Sequence, residues 1–377
     1  MNVDIGAQEV FQIVMLLIIL KPVFYYMKIK YSIYPENKNE VNDSVTSVKS
    51  ISVILPMRNE SKNVRRKLES IIPEIIDSEI VDLIIANSSS RDDTEKIANQ
   101  VLKSSKLSDK RWKIVNFKIP GKNIALNGVL ETINSEIIVI SDADADVHPG
   151  WLETILKRFE DNELGVISGM EIVNNENRKF NSYYRENSNL LRIKESEIDS
   201  TPVLEGSLLA WKKSALGEFR LNENVNADDA QIGLAAIRNG FRAVVDRRIT
   251  FNEFDGDERS IRNSIRRSQG LSSVLIRNYD LGFSGVRKNA RSSIKNAIFL
   301  YVFFPWAFLL FILNSVISFS YNPAMAISWE ILSVSSAILI SFTSQGRSLI
   351  TGCLITMIAH FQLIVGKNYS NWDPSRN

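Results

Sequence analysis

Apolar residues are distributed along this chain in two ways, as short runs in the middle and long runs at the ends. In the middle, 51–55 is a β-rich run closed by Pro56, and 81–86, 114–119 and 136–141 are three more. Helix-like stretches separate them. Asn59 or Ser61 can cap a helix that runs through Ile71, 92–101 predicts a second, and Gly121 opens a third toward Ile133. Short buried strands alternating with helices predict an α/β sheet covered on both faces. Ligands of such sheets bind beyond the C-terminal ends of the strands. Polar groups collect there: Arg58, Asn59 and Glu60 after the first run, residues 87–93 after the second, and Asp142, Asp144 and Asp146 after the fourth.

The long runs are 294–320, 324–342 and 348–365. A membrane-spanning helix needs about 20 apolar residues, and each run is near that length. Trp306, Tyr321 and Trp329 stand where aromatic belts form. A further run, 10–27, is interrupted by Lys21 and Pro22; Lys21 can snorkel to an interface. It lacks the basic start and small-residue cleavage site of a signal peptide, so it reads as a retained helix. Lys28, Lys30 and Lys38 follow it, and Arg287, Lys288, Arg291 and Lys295 precede the next run. The positive-inside rule then places the middle domain in the cytoplasm of a multi-pass membrane protein. Four spans would put both chain ends outside, with Lys367 and Arg376 against the rule. The expected organisation is an N-terminal transmembrane helix and flank (1–30), a catalytic domain (50–255), a basic interfacial helical segment (256–293), three transmembrane helices (294–366) and a tail (367–377).

Composition narrows the chemistry. The formal net charge is +2, too small for the bulk field that nucleic acid would require, so no nucleic-acid partner is expected. Cys353 is the single cysteine, and His148 and His360 are the two histidines. No intrachain disulfide and no Cys- or His-rich metal centre can be built from them.

The strongest chemical feature is the run 137–146, an apolar strand that ends in Asp142, Asp144 and Asp146. Carboxylates crowded at a strand end repel one another unless a cation compensates. A hard divalent ion suits such oxygen ligands, with substrate phosphates completing its shell. A solvated acidic turn, or the favourable N-terminus of a helix starting near Trp151, explains the same residues. A second acidic pair, Asp228 and Asp229, precedes 232–235. It suits a general base, and equally the capping of a helix. The segment 259–270 carries Arg262, Arg266 and Arg267, which can offset phosphate charge or sit on anionic lipid.

In their order and spacing these segments resemble a family 2 glycosyltransferase with a GT-A fold, over residues 52–270. Within that family the chain resembles membrane-anchored members of the ceramide-glucosyltransferase-like and processive synthase-like kinds. Pro56, Met57, Arg58, Asn59 and Glu60 match the opening Pro-x-x-Asn-Glu. Residues 87–94 match the turn after the second strand, although Asn87 and Ser88 stand where the family has acids. Gly121 to Asn127 match Gly-Lys-x-x-Ala-Leu-Asn, and Asp142, Ala143 and Asp144 match the metal-binding Asp-x-Asp. Aligned on Gly270, Asn263, Arg266 and Arg267 take the places of the Gln, Arg and Trp of Gln-x-x-Arg-Trp. The resemblance implies a Rossmann-like mixed sheet flanked by helices. It also implies a nucleotide-sugar site formed by Pro56, Arg58, Asn59, Glu60, Asn87, Ser88, Asp92, Lys122, Asp142, Ala143 and Asp144. Asp142 and Asp144 would hold Mg²⁺ or Mn²⁺, Asp229 would be the catalytic base, and Arg266 would assist the leaving diphosphate. The expected activity is inverting transfer of a sugar from a nucleotide-diphosphate donor to a lipid-linked or membrane-proximal acceptor. Processive polysaccharide synthesis and an inactive nucleotide-binding scaffold are the alternatives.

Overall fold

In the computed structural model, residues 7–32, 48–172, 179–253, 261–321 and 344–367 are described. The apolar run 324–342, the residues 254–260 and the tail from 368 lie outside them.

Eight strands form one sheet: β1 (Ile51–Met57), β2 (Val81–Ser88), β3 (Trp112–Phe117), β4 (Ile137–Ser141), β5 (Ala145–Val147), β6 (Leu164–Glu171), β7 (Leu208–Lys212) and β8 (Arg242–Glu253). Their spatial order is β3-β2-β1-β4-β7-β6-β8-β5. The four strands from β3 to β4 are parallel. β7 runs antiparallel to both β4 and β6, β6 and β8 are parallel, and β5 returns antiparallel on β8. The sheet is mixed, as the resemblance implied. Pro56 does not stop the first strand. The β4 ladder ends at Ile54–Ile140, whereas the β2 ladder continues to Met57–Asn87, so the proline lies past the last β4 pair. The third strand begins at Trp112, two residues before the expected 114, because Trp112 pairs with Leu83.

The helices of the middle domain are α2 (Val64–Ile75), α3 (Thr94–Ser104), α4 (Lys122–Leu130), α5 (Trp151–Arg158), α6 (Lys179–Ile198), α7 (Lys213–Leu216) and α8 (Asp228–Arg238); α1 (Ala7–Tyr31) precedes them. After them come α9 (Ile261–Arg277), α10 (Leu281–Ser284), α11 (Ala290–Ile298), a π-helical turn (Phe299–Phe303), α12 (Phe304–Tyr321) and α13 (Ser344–Ile364). Alternation along β1 builds two cores. Ile51, Val53, Leu55 and Met57 pack with Leu68, Ile71 and Trp151 on one face. Ile54 packs with Leu126, Ile140 and Leu234 on the other. Strand period two and helix period 3.6 meet on both sides.

Two helical stretches, Val10–Tyr31 and Ala290–Asn314, are long and apolar enough to cross a membrane, and Leu349–Ile364 is a shorter apolar helix. α1 exposes Val10, Phe11, Leu17 and Phe24. Its last turns reach the middle domain, where the Tyr25 hydroxyl donates to Glu195 Oε1 (2.8 Å) and Tyr26 to Asn187 Oδ1 (2.9 Å). α12 and α13 run antiparallel. Trp306, near the start of α12, donates to His360 Nδ1 near the end of α13 (3.0 Å), while Phe308 and Cys353 share one cluster with Ile312 and Leu349. The charge tally predicts the C-terminal end on the far side from the middle domain. The helix pair instead brings Gln362 and Lys367 back against α9. That tally counted a separate span over 324–342, which lies outside the described residues.

Candidate active site

The site forms where the parallel strands end. After β1 the chain turns at Asn59, whose φ of 53° is left-handed, a conformation asparagine tolerates. The Asn59 amide donates to Ser90 Oγ (3.0 Å), and Arg91 donates its amide to Asn59 Oδ1 (2.8 Å). Glu60 is buried; its amide donates to Thr94 Oγ1 (2.7 Å), and Asn63 donates to its carboxylate (2.7 Å). Asp92 accepts from the amides of Ser61 (3.0 Å) and Thr94 (3.1 Å). Although burial acts to raise its pKa, these bonds and the Thr94 hydroxyl hold it below the usual carboxylate range. The turns after β1 and β2 are thereby fastened together. Arg58 directly follows β1, and its Nε is buried.

Asn87 donates to Asn116 Oδ1 (2.6 Å), and the Asn116 Nδ2 group donates in turn to Glu95 Oε1 (2.8 Å). Ser88 Oγ accepts the Gly121 amide (2.8 Å) and donates to its carbonyl (3.2 Å), fixing the start of α4. The next residue is Lys122. Its Nζ lies 2.8 Å from Asp142 Oδ1 and 3.0 Å from Asp228 Oδ2. Burial would lower the lysine pKa, but the two carboxylates outweigh it and raise it. This ammonium joins the turn after β4 to the start of α8, two segments far apart in sequence.

Within that turn, Asp142 and Asp144 are half-buried while Ala143 is buried in the core. Ala143 was expected to line the nucleotide-sugar site. Its methyl group points away from Asp142 and Asp144 into the sheet, so its contribution to a ligand would come through its backbone. The Asp142 pKa is raised by burial, opposed by Lys122, and raised further by the neighbouring Asp144 and Asp228. Asp146 turns to Arg66 (3.7 Å).

Asp228 and Asp229 open α8. Asp229 Oδ1 accepts the Ala230 amide (2.7 Å), and Gly206 lies beside the Asp229 side chain. Burial, then the Asp228 charge, push the Asp229 pKa up to about 7. Arg266 and Arg267 of α9 come to the same place. The Arg266 Nε is buried with no hydrogen-bond partner among the described residues, and Asp142, Asp228 and Asp144 are the carboxylates in whose field it lies. Burial opposes the Arg267 charge, but Glu253, Glu205, Asp144 and Asp142 more than offset it and raise its pKa. α9 is held close to α8 by an intimate contact: a Cβ on Gly270 would lie 1.6 Å from the Asn226 carbonyl oxygen.

One participant escaped the sequence reading. Lys67 of α2 is 1% exposed and donates to Ser141 Oγ (2.6 Å) and the Ala145 carbonyl (2.7 Å), gripping both ends of the turn that carries Asp142 and Asp144. Burial lowers its pKa to about 8 against the pull of Asp142, Asp144 and Asp146. The signal was present, since Val64, Lys67, Leu68, Ile71 and Ile75 share one helical face; a lysine on an apolar face needs a buried partner.

A mixed sheet of this order, with its carboxylate turn at the end of β4, defines a GT-A fold. Residues 52–219 match the family model Glycosyl transferase family 2. That stretch of the chain is therefore a family 2 glycosyltransferase domain. The chain also matches a mannosyltransferase from Pyrobaculum calidifontis, PcManGT, solved in complex with GDP-Man and Mn²⁺. The TM-score is 0.79 at 21% identity, covering 96% of this chain and 100% of that one, a likeness of fold. An uncharacterized protein of Mycobacterium tuberculosis (strain CDC 1551 / Oshkosh) is 28% identical over 170 residues, 45% of this chain. The chain spans about half the length of that curated relative, 51% of it.

Proposed function

We propose that the protein is a metal-dependent, inverting glycosyltransferase that moves a sugar from a nucleotide-diphosphate donor to a lipid-linked or membrane-proximal acceptor. The observation that carries this reading is the Lys122 bridge, which gathers Asp142, Asp228 and the adjacent Asp229 into one cleft. The donor set fits a hard divalent cation. Asp142 and Asp144 would supply two oxygen ligands at the end of β4, where burial and then the neighbouring Asp144 and Asp228 charges raise Asp142 against the pull of Lys122. Diphosphate oxygens of the donor would complete the shell. A bound Mg²⁺ or Mn²⁺ would neutralise charge on the departing diphosphate; the solved mannosyltransferase complex with GDP-Man and Mn²⁺ supports the choice.

Each side chain then has a task. Asp142 and Asp144 hold the metal, and Lys122 and Arg266 face the phosphate charge. Pro56, Arg58, Asn59, Glu60, Asn87, Ser88 and Asp92 shape the nucleotide end of the cleft. Asp229, with a pKa near neutrality, takes the proton from the acceptor hydroxyl as its oxygen attacks the anomeric carbon. Attack from the face opposite the leaving diphosphate inverts the anomeric centre. The two membrane-length helices and the apolar α13 support an acceptor held at a bilayer, with the catalytic domain on its cytoplasmic side. In this assignment 1–30 and 294–366 are membrane segments, 50–255 is the catalytic domain, 256–293 lies at the interface and 367–377 is a tail. The test is a screen of nucleotide sugars on purified protein in lipid with Mn²⁺, products identified by mass spectrometry. Metal-dependent sugar transfer is expected. Absence of transfer from every donor, or undiminished transfer in chelator, would overturn the reading.

A further inference from the structure

α9 has a second face that the chemistry above does not use. Ser268, Gln269 and Ser272 follow helical spacing and meet α13 and the residues just after it. Ser268 Oγ donates to Thr356 Oγ1 (3.2 Å). Gln269, 2% exposed, donates through Nε2 to Gln362 Oε1 (3.2 Å) and the Lys367 carbonyl (3.1 Å). Ser272, 1% exposed, stands 2.9 Å from His360 Nε2, and Trp306 donates to the other nitrogen of that ring. An apolar contact would allow α9 to roll, because apolar packing is not directional. Buried hydrogen bonds do not, because each broken one leaves a polar group unsatisfied.

Successive helix positions point about 100° apart. Gln269 and Gly270 therefore address different neighbours: Gln269 faces α13, and Gly270 faces the Asn226 carbonyl just before Asp228. Fixing the Gln269 face fixes the rotation of the whole helix, including Arg266 one turn earlier.

We propose that Gln269 and Ser272 are positioning residues, which lock α9 onto the C-terminal apolar helix and so aim Arg266 at the donor diphosphate. The inference rests on the glycosyltransferase reading for the role of Arg266. The docking itself does not. It makes α13 part of the catalytic apparatus as well as an apolar helix.

The test uses the full chain in lipid nanodiscs and a double-mutant cycle. Gln269→Leu keeps the volume and removes the hydrogen bonds. It is expected to lower kcat by about tenfold with the donor KM little changed, since misplacement rather than lost binding is the defect. Combined with Arg266→Lys it should add almost nothing further, because the group being aimed has already been altered. Ser272→Ala should behave in the same sense, and Ser272→Thr, which keeps the hydroxyl, should restore turnover. Hydrogen–deuterium exchange supplies a readout without turnover: amides of 262–268 should exchange faster in Gln269→Leu while β1 and β4 stay protected. Losses that multiply in the double variant, or unchanged exchange in α9, would overturn the positioning role. Should the wild type transfer no sugar, the function falls, and the exchange result alone decides whether the seam fixes α9.

Discussion

Replacing Asp229 should trade activity for stability. Burial and the Asp228 charge raise its pKa from 3.8 to about 7. Between those values the unfolded chain has released the proton and the folded chain still holds it. Stability therefore falls as pH rises across the interval and is level above it. Each pH unit is worth about 1.4 kcal/mol, so the interval costs the folded state about 4 kcal/mol. Asp229→Asn has the same shape and no charge to bury. It is expected to gain about 4 kcal/mol near pH ~8, and less than half of that near pH ~5, where the wild-type carboxyl is still protonated in the folded state. In melting temperature the larger gain is roughly 10 °C for a domain of this size. Turnover should move the opposite way, falling about 10² to 10⁴-fold, because the proton acceptor is gone. For the wild type, kcat/KM should climb with pH to about 7 and then level, because the ionised form is the base. Thermal melts of both proteins at the two pH values, beside a pH–rate profile, make the check. Equal melting gains at both pH values, or a flat profile through neutrality, would refute the reasoning.

Other outcomes follow from the geometry. Asp144→Asn should reduce transfer by about 10² or more while the melting temperature holds, because a charged metal ligand is lost at a half-buried turn; Mn²⁺ titration by calorimetry should weaken in step, and an unchanged titration would contradict the assignment. In a Cys353→Ser background, a cysteine placed at Lys367 should be labelled from the same side as one at Asp161, and a cysteine at Val10 from the opposite side, because α13 returns to the catalytic domain; labelling of Lys367 with Val10 would disprove the hairpin. Gly270→Ala places a Cβ 1.6 Å from a backbone carbonyl, so it should cost about 2 kcal/mol or more in stability and depress turnover, read by melting and assay; wild-type values for both would remove the contact from consideration.

Much of the site was legible because its chemistry sits in short local runs. Asp142 and Asp144 follow a strand whose apolar character announces where it ends, and Lys122 follows a glycine that opens a helix. The mixed half of the sheet was harder to read. β6 and β8 are parallel neighbours with β7 antiparallel beside β6, an arrangement that pairs residues such as Val166 and Ala243 across a long stretch of chain. No local pattern encodes such pairing. Lys67 was overlooked for a related reason: its partners, Ser141 and the Ala145 carbonyl, come from another element. A count of lysines and arginines likewise carries no information on how apolar helices pair: the contact between Trp306 and His360 sets α12 against α13 through residues far apart in sequence.

The Gly270 contact also limits how the cleft can breathe. With the Asn226 carbonyl seated against the helix backbone, α9 cannot advance or retreat by one residue, since either Gln269 or Leu271 would then have to occupy a gap that admits only hydrogen. Sliding is excluded as a mode of opening. Any widening of the cleft beside them must carry α9 and the start of α8 together. Asp229 and the two arginines would then keep a constant separation.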